Sequence, residues 1–394
     1  MKSAKSFGFC FGQEKRKNKT KRFRYVRGGK QTLVCPRTVH SSTVGSNSKK
    51  NQMKCKLCHL EKNPKSNTHY LTDFIIRTAL NEDGSNERGK GSYWSIDPEK
   101  PTVDYKFQQE ISVAKLENIL GRQSTEEENL DAEKNIDFTV SDSFCKQCED
   151  IFTDIENEFA QKIIHKFRNT NLSGIDHIKL NQNDSRILRL FFVLQFWRTS
   201  ECDSSFTLSN KLSEKLRNKI FQKDNTGLEN IALSVTYLQT LKDENDEDLG
   251  EKYKTENIVA PVEGDNPYII LMNDFVIQLF ENHTFPFESF YGYNEKSNYK
   301  DFLNYGEVEF SVKIISNDDR KQIAYRINQK AANSMMKNQG QSFANAFNEK
   351  YKNQPTMGQT LQYLKQLAEI KDIMKFSEEK LNKFLSDYLE RTFE

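Results

Sequence analysis

The chain has no long hydrophobic run. Nothing in it approaches the roughly 18 to 20 uninterrupted apolar residues of a membrane helix. The longest apolar stretch, Ile187 to Trp197, is broken by Arg189 and Gln195. No membrane-spanning helix and no membrane partner are therefore expected. The N-terminus has no apolar leader core and runs straight into Lys and Arg, which predicts a chain that is not secreted. There is no G-x-S-x-G, H-E-x-x-H or Rossmann fingerprint, and no repeat period. The nearest phosphate-loop match, Gly84 to Gly91, puts Gly91 where the magnesium-binding Ser or Thr belongs and reads as a loop.

Net charge is nearly absent as well, at +2 over 394 residues, but the average hides a division. Residues 1–54 hold 15 Lys/Arg against the single acid Glu14, a net of +14, which leaves −12 on the remaining 340 residues. A basic arm precedes an acidic body, and that asymmetry bears on partners rather than fold. The arm, residues 1–52, has too little apolar material to offset its ordering entropy and is expected to be disordered. Arg22, Arg24 and Arg27 alternate there with Phe23 and Tyr25, a pattern suited to phosphate contact with base stacking. The plainer alternative is a solvated tail.

Seven cysteines are present, and four form C-x-x-C pairs, Cys55/Cys58 and Cys145/Cys148. An odd total without a leader argues against a secreted disulfide framework and for metal in a reducing, cytoplasmic setting. Two residues between thiolates let both sulfurs of one tight turn face one ion, and two such pairs complete a closed tetrahedral zinc shell. The 86 residues between the pairs imply a sizeable insertion. Two unrelated pairs, or a redox C-x-x-C, are the alternative, although a redox site would need a βαβ context that the pattern lacks.

The predicted architecture is α+β. A zinc region with a helical insertion spans 53–225, an antiparallel β region 226–316 and a helical region 317–394. Within the zinc region, Phe107, Ile111, Leu116 and Leu120 have helical spacing, the acidic stretch 124–135 reads as a loop, and Ile136, Phe138 and Val140 alternate as a short strand. Ile151 and Phe152 follow Cys148, and Phe152, Ile155, Phe159, Ile163 and Phe167, at intervals of 3, 4, 4 and 4, form one helical face. Asp184 or Ser185 is the expected N-cap of the next, strongly apolar helix.

The order C-x-x-C, then Ser66-x-x-His69, then C-x-x-C-Glu149 at a helix start resembles the HNH-type (ββα-metal) endonuclease-related proteins of bacteria. Glu156 and the segment Trp197-Arg198-x-Ser200 fit the same pattern. The resemblance covers roughly residues 53–222 and implies a treble clef of knuckle, hairpin, knuckle and helix. It also implies action on DNA or RNA and an association with defence or mobile elements. In active members a His on the first strand activates water, and a divalent ion, Mg²⁺ or Mn²⁺, stabilises the phosphorane. Carried over by position, His69 is the general base, and Glu149 with Asp73 would hold the ion as hard oxygen ligands. Glu149 stands where the family usually has a metal-binding His, Thr68 where an acid is common, and Asn135 is the only candidate for the middle Asn. The competing expectation is a non-catalytic, zinc-stabilised binding or scaffold protein whose acidic body meets a protein partner. In that case Trp197 fills the core and Arg198 pairs with Glu156 or Glu149.

Overall fold

A computed structural model describes residues 53–393 apart from 64, 66, 81–91, 97–102, 108–111, 135–137, 169, 240–257, 263–265, 282–298, 307–308, 371–372 and 374–375. The basic arm with Arg22, Arg24 and Arg27, the segment Gly84–Gly91, Ser66 and Asn135 lie outside the described residues.

The region in which the sequence predicts zinc opens with the hairpin strands β1 (Met53–Lys54) and β2 (Glu61–Lys62), followed by β3 (Thr68–His69) and the short helix α1 (Asp73–Ile76). A second hairpin, β4 (Ser92–Ile96) with β5 (Val103–Phe107), leads to α2 (Val113–Leu120), α3 (Glu126–Lys134) and β6 (Thr139–Val140), which returns to pair antiparallel with β3. Helix α4 (Lys146–Lys162) starts at the second cysteine pair.

Two expectations for this insertion fail. The helical spacing across 105–120 is split, because Val103–Phe107 is a strand and only Val113–Leu120 is helical, capped by the Ser112 hydroxyl. The acidic stretch is helix α3 rather than a loop. The Thr125 hydroxyl accepts the Glu128 N–H at 3.2 Å and the Glu128 carboxylate accepts the Thr125 N–H at 2.8 Å, a capping box that overrides weak apolar periodicity.

Strand β7 (His177–Leu180) precedes α5 (Gln182–Cys202) and α6 (Asn210–Gln222). The N-cap of α5 is Asn181, which accepts the Asp184 N–H at 3.0 Å, rather than Asp184 or Ser185. Strands β8 (Ala232–Leu238), β9 (Val259–Val262), β10 (Tyr268–Met272), β11 (Phe275–Phe280) and β12 (Phe310–Ile315) then build a six-stranded sheet in the order β7-β12-β8-β11-β10-β9. The sheet is mixed, because β12 runs parallel to β8 while every other neighbour is antiparallel. Helices α7 (Asn317–Tyr351), α8 (Met357–Ala368) and α9 (Glu378–Phe393) follow.

Helix α5 is buried on nearly all sides, as an all-round apolar helix must be. One face of the sheet joins it in a single core with the zinc region, in which Leu57, Phe152, Phe191, Trp197, Leu233 and Ile277 all belong to one cluster. The opposite face packs Leu238, Leu271 and Val276 on Ile323, Ala324 and Ile327 of α7. The far half of α7 makes a separate core with α8 and α9, with Phe343 stacked on Tyr363 at a ring separation of 4.8 Å.

The turn between β10 and β11 clamps the sheet to the zinc region. Asn273 takes the left-handed backbone (φ 57°) that a two-residue hairpin turn requires, a conformation Asn tolerates. Its amide donates to Thr78 Oγ1 at 2.6 Å. Next to it, the buried Asp274 receives Arg168 Nε and Nη2 at 2.6 and 2.9 Å, and the same guanidinium donates to the carbonyls of Phe74 and Ile75. Arg168→Ala is expected to cost about 3–5 kcal/mol in urea denaturation, because it strands a buried carboxylate. An Arg168→Ala/Asp274→Asn double variant should recover part of that loss. Equal losses in the single and double variants would deny the ion pair this role.

Candidate metal centre

The backbone creates the centre before any ion arrives. In the first knuckle His59 N–H donates to the Cys55 carbonyl at 2.9 Å and Cys55 N–H to the Leu60 carbonyl at 3.0 Å. His59 itself adopts φ 59°, so the chain turns sharply enough to aim two sulfurs one way. In the second knuckle Cys145 is the N-terminal residue flanking α4, and its carbonyl accepts the N–H groups of Cys148 and Glu149 at 3.0 Å. The strand pair β3–β6, with His69 opposite Thr139, brings the two knuckles together across the insertion.

The four sulfurs of Cys55, Cys58, Cys145 and Cys148 all lie within 4.8 Å of one another, and Cys58 and Cys145 are 4.0 Å apart. A tetrahedral ion with sulfur bonds of about 2.3 Å needs sulfur separations of about 3.8 Å, so this set fits a metal ion such as zinc. The Cys145 N–H points at the Cys55 sulfur at 3.4 Å, a contact that favours thiolate. Four thiols packed this closely cannot ionise together unaided. The Cys148 thiol donates to Cys55 and draws it down to about 4, while the same contact pushes Cys148 up. A bound divalent cation resolves the conflict by holding all four as thiolates, and it would supply structural cross-linking rather than reactive chemistry in such a closed shell.

Around the sulfurs the predicted catalytic residues take separate roles. Among the described residues the four cysteines are the one group of three or more Cys, His, Asp or Glu within ligand reach of a single ion, so His69, Asp73 and Glu149 are not gathered into a second one. His69 lies on β3, half-buried. Asp73 begins α1 and is held by the Arg77 guanidinium, whose Nε donates at 3.0 Å. Glu149 is 6% exposed and forms an ion pair with Lys65 at 3.3 Å, while its Oε1 has no hydrogen-bond partner. Burial pushes the Glu149 carboxyl above the usual carboxylate range, against the pull of Arg198 and Lys65.

Trp197 is fully buried, and Arg198 pairs with Glu156, as expected of a structural role. Spacing did not reveal the rest of this network. Thr72 Oγ1 donates to Glu156 at 2.7 Å, Thr72 N–H donates to Gln195 Oε1 at 3.0 Å, and Arg198 donates to Thr72 Oγ1 at 3.2 Å. The available signal was Gln195 itself, an amide inside the apolar run of α5.

If the four thiolates hold zinc, purified protein carries about one ion per chain, and Cys145→Ser loses both metal and fold, since structural zinc contributes roughly 10–16 kcal/mol in small fingers. Metal analysis and circular dichroism check this, and a stable variant with unchanged metal would refute it. Glu149 gives a pH signature. A carboxyl whose folded pKa exceeds its unfolded value binds more protons when folded, so its contribution weakens as pH rises through that interval. Glu149→Gln should therefore gain stability relative to wild type at neutral pH compared with about pH 4, measured by denaturation at both. No family model, curated protein or solved structure matches the chain, so its own sulfurs and their neighbours are the guide to what this centre does.

Proposed function

We propose that the chain is a zinc-stabilised, nucleic-acid-binding protein of HNH-like, treble-clef layout in which the centre is structural and not hydrolytic. The element order supports the layout: a knuckle between β1 and β2, the pair β3–β6, a knuckle at Cys145, then α4. One observation carries the non-hydrolytic reading. Glu149, at the position of the family's metal-binding His, is buried and committed to Lys65. The basic arm and its Arg22, Arg24 and Arg27 supply the attraction to DNA or RNA. A cytoplasmic setting goes with thiolate zinc ligands, and a defence or mobile-element context with the resemblance. A protein that meets the acidic body is the alternative partner.

A second reading, a Mg²⁺- or Mn²⁺-dependent endonuclease with His69 as general base, is favoured by the place of His69 on β3, opposite Thr139 and just ahead of α1. It requires Asp73 and Glu149 to leave Arg77 and Lys65.

Wild-type protein incubated with single- and double-stranded DNA and RNA in Mg²⁺ or Mn²⁺ is expected to bind without cutting. Products that vanish in His69→Ala would establish the nuclease instead. Replacing Arg22, Arg24 and Arg27 by Gln is expected to flatten the salt dependence of single-strand binding by about two units of slope. Wild-type protein that binds no nucleic acid overturns the proposal in favour of a protein partner.

A further inference from the structure

Residues 55–394 carry −12 overall, yet two segments of the folded body are basic. Residues 53–65 hold four lysines against Glu61, a net of +3. Residues 210–223, which contain α6, hold five basic residues against Glu214, a net of +4. The fold brings these segments side by side. Arg217 of α6 donates to the Leu57 carbonyl of the first knuckle at 2.6 Å, and His59 lies within electrostatic range of Glu214. Lys56 reaches past them to the Glu201 carbonyl at the end of α5.

We propose that the tip of the first knuckle and the adjoining face of α6 form a contact surface for single-stranded nucleic acid on the body itself. This rests on the nucleic-acid reading above and goes beyond it, since that reading needs only the arm. Three features suit the partner. Lys54 on β1, Lys62 on β2 and Lys146 at the first position of α4 lie on the elements that carry the cysteines, and no ion pair among the described residues holds them, so their charges are available to phosphate. Of the other cations, Arg217 is held by Glu214, Lys65 by Glu149, Lys219 by Asp224 and Lys223 by Asp154. Leu60 at the knuckle tip is 55% exposed and Phe221, one turn beyond Arg217, is 47% exposed. An exposed ring on a basic helix is an arrangement on which unpaired bases stack without sequence preference. The knuckle's internal hydrogen bonds hold that tip in a defined turn, which lowers the ordering entropy that opposes contact.

The test uses the full chain and short fluorescein-labelled single strands of DNA and of RNA, with affinity followed by anisotropy between about 50 and 200 mM salt. Each phosphate contact contributes about 0.7 to the slope for single strands, so the triple variant Lys54→Gln/Lys62→Gln/Lys146→Gln should lower it by about two. Phe221→Ala should weaken binding about tenfold at every salt concentration while leaving the slope unchanged. Zinc content and circular dichroism matching wild type confirm that both variants are folded. The two nucleic acids, run in parallel, show which sugar is preferred. Wild-type affinity and slope in both variants, with loss only in the Arg22/Arg24/Arg27 variant, would overturn the surface and leave the nucleic-acid reading standing. Wild-type protein that binds neither strand overturns both.

Discussion

Helix α5 sets the terms for the rest of the molecule. Polar side chains on a helix buried on almost every side are costly unless they find partners, because an unmet buried donor or acceptor costs about 1–3 kcal/mol. Three of its buried polar side chains reach other elements. Arg189 donates to the carbonyls of Asn304 and Leu228 and reaches that of Ile231, stitching the helix to the loops that flank the sheet. Gln195 and Arg198 meet Thr72 and Glu156 and so fasten α1 and α4 to the same helix. The apolar face of α5 supplies most of the burial, with Phe191 stacked on Phe159 at 3.8 Å. Its polar atoms decide which elements lie where.

The cysteine centre works within that frame. Its two knuckles come from segments far apart in the chain, and a closed four-sulfur shell spares the insertion from having to hold them together by packing. That division of labour explains why the insertion can be built from short, weakly apolar pieces such as α3, whose start depends on one capping box. Beyond the sulfurs, Phe152 and Phe159 of α4 and Phe167 just past its end enter the common core. The sulfurs gather at the first turn of α4, and the aromatic cluster runs on from there along the same helix.

Much of this was legible in the sequence, for identifiable reasons. Paired cysteines, the period-3.6 face after Cys148 and the β-branched runs of the sheet are strong local signals, and each led to the right element. The failures came where a stronger, shorter-range or longer-range force competed. Thr125 and Glu128 made a helix out of an acidic stretch that looked like a loop. Strand β7 is four residues with no marked alternation, and it exists because β12 offers it a partner more than 120 residues away. The parallel pairing of β8 with β12 is a property of topology that no window of residues contains. For the site, spacing located the four sulfurs, but Lys65 and Arg77 lie outside any motif, and they decide what Glu149 and Asp73 can do.

Magnitudes then separate binding from cutting. To assemble a hard-cation site, Asp73 must give up a guanidinium in a pair whose side chains are only 12% and 17% exposed. A charge-assisted bond of that kind is worth about 1.5–3 kcal/mol. Glu149 must give up Lys65, a weaker contact because the lysine side chain is 48% exposed and screened by water. Together these losses come to about 2–4 kcal/mol, or about 30- to 1000-fold in ion affinity. A burial that already disfavours ionised Glu149 acts in the same direction. Mg²⁺ adds to the difficulty, since it sheds its own water reluctantly and binds weakly to one or two carboxylates even where they are unencumbered. A soft ion meeting four converging sulfurs faces no such competition. The geometry therefore suits a thiophilic ion at the four sulfurs better than a hard, hydrolytic ion at Asp73 and Glu149.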